Sequence, residues 1–143
     1  MTRTKKNTDD MQTELTRTES LRQFLEENQE NFQTKEVSTL INEKIREKGL
    51  SKAEVAKASG MSEVYLHQLI SGRRNPSRSR LICICIGMGF TLEETQNLLQ
   101  HAGMAMLYSR SRSDAIIIYG ITHHMDLFTI NDMLYDEDED TLI

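Results

Sequence analysis

The side chains best placed to do chemistry crowd into residues 51–80. Four guanidinium groups, Arg73, Arg74, Arg78 and Arg80, lie close together in a polar stretch that also holds Ser71. A guanidinium is permanently charged and presents a planar fork of N–H donors, which matches the geometry of phosphate oxygens. Just before them, Glu63, Val64, His67 and Gln68 supply a carboxylate acceptor, an apolar surface, an imidazole and an amide. Such groups read the hydrogen-bonding and apolar edges of a partner rather than making or breaking bonds. Lys52 and Ser62 stand where the two flanking segments begin. No Ser or Cys nucleophile stands in a motif with a base, and His101, His123 and His124 lack Cys or His partners at helical metal-ligand spacing. The chemistry is therefore recognition: no catalytic residue, metal or cofactor is assigned, and an enzyme is the least favoured class.

Positioning these groups falls to Ser51–Pro76, S-K-A-E-V-A-K-A-S-G-M-S-E-V-Y-L-H-Q-L-I-S-G-R-R-N-P, whose spacing describes two short helices joined by a tight glycine turn. Ser51 and Glu54 form a capping-box pair at the start of the first helix. Gly60 supplies the left-handed backbone of the turn, and Ala56 is small enough to let a second helix cross closely. Ser62 then caps the second helix, in which Leu66, Leu69 and Ile70 form one buried stripe at i, i+3, i+4 spacing. Val64, His67, Gln68 and Ser71 point the other way, with Glu63 near the exposed start, and Gly72 ends the helix. This is how a protein offers one helix to DNA.

The small Ala56, the turn Gly60 and the apolar Leu66 and Leu69 resemble the Cro/repressor-type helix-turn-helix, or XRE, transcriptional regulators. The segment S-G-R-R-N-P-S-R, Ser71 to Arg78, is similar to the S-G-x-R-N-P-S form found after the recognition helix in one bacterial branch of that family. The resemblance covers roughly residues 20–135. It implies a helical bundle that binds double-stranded operator DNA as a homodimer, with the recognition helix Ser62–Ser71 in the major groove. On that reading Glu63, Val64, His67 and Gln68 are the base readers, while Lys52, Ser62, Ser71, Arg73, Arg74, Arg78 and Arg80 meet phosphates. Glu63 stands where phage repressors commonly place a Gln; a carboxylate accepts from cytosine N4 and cannot donate to adenine N7, unless Glu63 instead caps the helix.

The net charge of -5 conceals a strong asymmetry. Basic outnumber acidic residues 9 to 5 over residues 36–80, whereas residues 114–143 hold 8 acids and no base. Positive charge is thus concentrated on the helix-turn-helix and its exit loop, as phosphate neutralisation with counterion release requires. With 4 Phe, 4 Tyr, no Trp and a single proline, the core must be aliphatic and the fold all-α. The expected architecture is a repressor-like helix-turn-helix bundle with an N-terminal helix and an appended C-terminal helical hairpin.

Around the motif, residues 1–19 read as a flexible polar arm, followed by a weakly amphipathic helix carrying Leu21, Phe24, Leu25 and Phe32. The bundle spans residues 20–107, with a scaffold helix over Val37–Lys48 and further helices over Arg80–Met88 and Thr91–Leu99. Residues 108–135 echo that last pair: A-I-I-I-Y-G-I against L-I-C-I-C-I-G, then L-F-T-I-N-D-M-L against L-E-E-T-Q-N-L-L, at an offset of 34 to 35 residues. The tie L-Y-S-R-S-R-S-D, Leu107 to Asp114, resembles an L-Y-x-R-x-x-R-D link of the same branch. The second copy departs from the branch at His124, where glycine is expected, and at Phe128 and Ile130, which add apolar surface. Residues 136–143 form an acidic tail whose run Asp136–Asp140 repels itself; it either solubilises the chain or competes with DNA for Arg73, Arg74 and Arg78.

Cys83 and Cys85 are two apart in an apolar helix, where their side chains diverge, so they are expected to be buried reduced thiols. No apolar leader follows Met1 and no run is long enough for a membrane helix, which predicts a cytoplasmic protein. The length after the motif predicts no self-cleaving peptidase domain. The leading function is a sequence-specific DNA-binding transcriptional regulator. The alternative is a protein-binding adaptor or antitoxin-like module that works through the C-terminal hairpin and acidic tail.

Overall fold

The computed structural model describes residues 6–29 and 37–143, and all regular structure among the described residues is helical, as the composition predicts. The chain divides into two parts, Met1–Thr34 and Lys35–Ile143.

The N-terminal part differs from the expected flexible arm: Thr8–Arg17 form helix α1 and Leu21–Glu27 form α2. The cause is local. Asn7 Oδ1 accepts from the Asp10 N–H at 2.8 Å, Asp9 and Asp10 sit at the positive end of α1, and Arg17 sits at its negative end. Ser20 caps α2 in the same manner. Phe24 is buried, and the Asn28 amide donates to Glu14 Oε1 and to Phe24 O, each at 3.0 Å, which joins the two helices. Composition reported the polarity of this stretch; the caps set its conformation. Phe32 lies outside the described residues.

The larger part holds α3 (Val37–Glu47), α4 (Lys52–Ala58), α5 (Glu63–Ile70), α6 (Arg78–Gly87), α7 (Leu92–His101), α8 (Arg112–Thr122) and α9 (Leu127–Asp136). Helix α6 is its axis. Leu81, Ile82, Cys83, Ile84 and Cys85 are all buried, and a helix apolar on every side must be covered on every side; α6 accordingly packs against α4, α7 and α9. It begins at Arg78, two residues before the expected start at Arg80, because Ser77 Oγ caps it by accepting from the Arg80 N–H at 3.2 Å. Helix α3 is braced to α7 by Lys44 and Lys48, which lie 3.4 and 3.5 Å from the Glu94 carboxylate. Burial opposes the charge on Glu94, but the Thr91 N–H and these two ammonium groups outweigh it and hold the carboxyl below its usual range.

The internal repeat is a repeat of backbone as well as of sequence. Helices α6 and α8 start from serine caps, Ser77 and Ser111. Each ends in a left-handed residue, Gly89 at φ 70° and His124 at φ 55°, with the following N–H returning to the helix: Phe90 to Cys85 O and Met125 to Gly120 O, both 2.9 Å. Helices α7 and α9 then start from Thr91 and Asp126 and end at Gly103, φ 68°, and Asp138, φ 58°. Of the two apolar additions, Ile130 is fully buried over Gly120 and belongs to the core, whereas Phe128 is 50% exposed.

The acidic run is not a free tail. Asp136 ends α9, Asp138 adopts the left-handed cap, and the Arg112 guanidinium bridges Glu137 and Glu139, the latter at 3.2 Å. Beyond it, Asn131 Oδ1 accepts from the Leu142 and Ile143 N–H groups at 2.8 and 3.1 Å, and the Ile143 side chain lies over Gly60. The run's self-repulsion is offset by a cation on the neighbouring helix, and an asparagine clamp fixes the residues beyond it. Among the described residues no helix is long and apolar enough to cross a membrane.

Candidate nucleic-acid interface

The bend between α4 and α5 is built as its residues require. Ser51 Oγ accepts from the Glu54 N–H at 3.1 Å to start α4, while the full two-way capping box forms at Thr91 and Glu94. Gly60 is left-handed at φ 66°, and the Gly60 and Met61 N–H groups return to Lys57 O and Ala56 O at 3.3 and 3.0 Å, closing α4. Ala56 is buried at the crossing. Ser62 Oγ then accepts from the Tyr65 N–H at 3.1 Å and starts α5. The cap is therefore Ser62, and Glu63 is left free at the first position of the helix, exposed.

Leu66, Leu69 and Ile70 face inward and are buried. Glu63, Val64, His67 and Ser71 are exposed, Val64 by 69%, whereas Gln68 is half-buried. The last turn is pinned from both sides: Asn42 Nδ2 on α3 donates to Ile70 O at 2.7 Å, and the Arg73 and Arg74 N–H groups fold back to Gln68 O at 3.1 and 3.2 Å. Those two backbone bonds seat the arginine loop against the end of α5. The Ser71 hydroxyl donates to the same Gln68 carbonyl at 3.1 Å.

The basic residues sort into two kinds. Lys52, Arg73 and Arg74 are exposed and Arg80 is half-buried, and none has an ion-pair partner among the described residues. Arg78 differs. Its Nη2 and Nη1 donate to the Asp114 carboxylate at 2.9 and 3.2 Å, its Nε to Ala105 O at 2.8 Å and its Nη2 also to Met106 O at 3.2 Å. This guanidinium, assigned from the sequence to a phosphate, makes four hydrogen bonds inside the chain. Asp114 is buried and also accepts from the Tyr108 N–H at 3.0 Å, so one carboxylate gathers the start of α6, the α7–α8 connection and the start of α8. The L-Y-S-R-S-R-S-D tie is thus a structural joint. Within the acidic run Glu137 and Glu139 pair with Arg112, and none of its acids forms an ion pair with Arg73 or Arg74 among the described residues.

Sequence reasoning missed Tyr65. Arg74 Cζ and Arg80 Cζ lie 5.2 and 5.4 Å from the centre of its ring. An aromatic residue among the candidate contact positions of α5, with two arginines downstream, was the available signal. The two thiols, Cys83 and Cys85, are free and buried; loss of solvation pushes them up to about 11 and about 12.

The helix-turn-helix family model matches residues 41–94, from α3 into α7. The chain is also similar to the ImmF control region 10 kDa protein of Bacillus phage phi105, with 44% identity over 52 residues, covering 36% of this chain and 58% of that protein. The chain thus spans less than two thirds of that relative's length. No solved structure matches.

Proposed function

We propose that the protein is a sequence-specific DNA-binding transcriptional regulator that acts in the cytoplasm as a homodimer, with α5 in the major groove. The observation that carries this reading is the outward face of α5: Glu63, Val64 and His67 are exposed, and among the described residues no carboxylate pairs with Arg73, Arg74 or Arg80. The helix-turn-helix match over residues 41–94 and the likeness to a phage control-region protein support it. Glu63, Val64, His67 and Gln68 read bases; Lys52, Ser62, Ser71, Arg73, Arg74 and Arg80 contact phosphates. Arg78 serves the scaffold, given its four internal hydrogen bonds.

A second reading, a protein-binding adaptor or antitoxin-like module, draws on the hairpin, where Tyr119, Phe128 and Tyr135 are exposed by 50%, 50% and 74%. The same surface serves the homodimer on the first reading.

Selection of bound duplexes from a random pool at two salt concentrations tests both. A regulator enriches a two-fold symmetric motif; Glu63→Ala and His67→Ala change that motif, and Arg73→Ala weakens every sequence alike. An adaptor enriches nothing and keeps its protein partner after charge reversal at Arg73 and Arg74.

A further inference from the structure

We infer that Tyr65 is a positioning residue for phosphate contact, its ring being the shared platform that holds the Arg74 and Arg80 guanidinium groups ready for the DNA backbone. This rests on the DNA-binding reading above and names the device by which that surface is organised.

The two cations reach the ring from different segments, Arg74 from the loop after α5 and Arg80 from the first turn of α6. At 5.2 and 5.4 Å from the ring centre, both are within the ~6 Å over which an aromatic face attracts a cation. Two like charges drawn to one ring repel each other, and no carboxylate among the described residues relieves them. A phosphate diester does, because it adds the missing negative charge beside two forks of N–H donors held at one ring. Arg78, which lies between them in the chain, is held instead by Asp114, Ala105 and Met106. The fold therefore separates one arginine that braces the chain from two that remain available.

Tyr65 is itself fixed. Its N–H donates to the Ser62 cap, and its side chain is half-buried against the core. The ring thus moves with α5, so the two guanidinium groups keep register with the base-reading face. A long side chain restrained before binding loses less rotamer freedom on binding, which is the advantage of preorganisation.

The test compares Tyr65→Phe, which keeps the ring and removes the hydroxyl, with Tyr65→Leu, which removes the ring and keeps an apolar side chain. Binding to a random-sequence duplex is measured across a salt series. The Phe variant stays within about twofold of the unmodified chain, whereas the Leu variant binds about tenfold more weakly at low salt with a log K against log salt slope shallower by about 1. Adding Arg74→Ala to Tyr65→Leu then costs less than adding it to the unmodified chain. A readout without DNA accompanies this: the Arg74 and Arg80 Nε–H resonances are shifted by the ring current in the unmodified and Phe proteins and return to ordinary positions in the Leu protein, at equal helicity by circular dichroism. Leu binding like the unmodified chain, Phe as weak as Leu, or arginine resonances that never sense the ring each overturn the platform. If the ring-current shift is present and the unmodified protein ignores every duplex, the DNA-binding reading fails instead, and the phosphate role of the platform goes with it.

Discussion

Arg78 and Asp114, thirty-six residues apart, form a two-pronged ion pair at 2.9 and 3.2 Å that fastens the α8–α9 hairpin to the exit of the helix-turn-helix. Asp114 is 6% exposed and the Arg78 side chain 33%, so the pair is screened less than a surface bridge. Asp114→Ala leaves a charged fork and the Tyr108 N–H without their acceptor, and stability falls by about 2–4 kcal/mol, read from urea midpoints. Arg78→Ala costs a similar amount, and the double variant costs less than the sum. In DNA binding the same Arg78→Ala leaves the salt slope unchanged, whereas Arg73→Ala reduces it by about 1. Equal slopes for the two variants would return Arg78 to the phosphate-contacting set.

His124 and Gly89 occupy the same place in the two copies of the repeat, and both are left-handed. A side chain there carries a backbone cost of about 1 kcal/mol that glycine avoids. His124→Gly therefore raises the unfolding midpoint, and Gly89→Ala lowers it by a comparable amount, since the space around Gly89 is open and only the backbone objects. Opposite signs for the two changes are the expected outcome of thermal unfolding.

Gly120 lets α8 and α9 touch. A Cβ at this position meets Ile130 Cγ1 at 2.3 Å and Cδ1 at 2.6 Å, in a region where Ile130 is fully buried. Gly120→Ala destabilises by about 1–3 kcal/mol through overpacking. Adding Ile130→Val, which removes Cδ1, recovers part of that loss; a further loss on the addition would place the strain elsewhere.

Cys83 and Cys85 remain thiols at neutral pH, because burial pushes them up to about 11 and about 12 from 9.0. Their folded pKa values are raised, so the stabilisation is fully present below about pH 9. It is lost as pH rises through about 11 and about 12, where the unfolded chain has already released its protons and the folded chain has not. Native protein at pH 8 resists a thiol-reactive chromophore over times in which urea-unfolded protein is fully labelled. Rapid labelling of the folded chain would contradict the burial.

Much of the fold is legible because short-range rules fix it. Ser51, Ser62 and Thr91 announce helix starts, Gly60 and Gly72 announce stops, and the Leu66, Leu69 and Ile70 stripe tells which side of α5 faces inward. What stayed hidden depends on partners far along the chain. No local pattern shows that Arg78 is taken up by Asp114 while Arg74 and Arg80 lie against Tyr65; four arginines within eight residues look alike until the fold separates them. The same holds for Arg112 with Glu137 and Glu139, which turns a self-repelling run into an ordered cap. Helix α1 was missed for the opposite reason: its signals are entirely local, but average polarity masks the Asn7 cap.

The seating of Ile143 over Gly60, with Asn131 clamping the backbone of Leu142 and Ile143, brings this segment to the elbow of the motif. An environment-sensitive dye attached at position 143 senses that elbow, and any flexing of α5 on α4 becomes an optical signal.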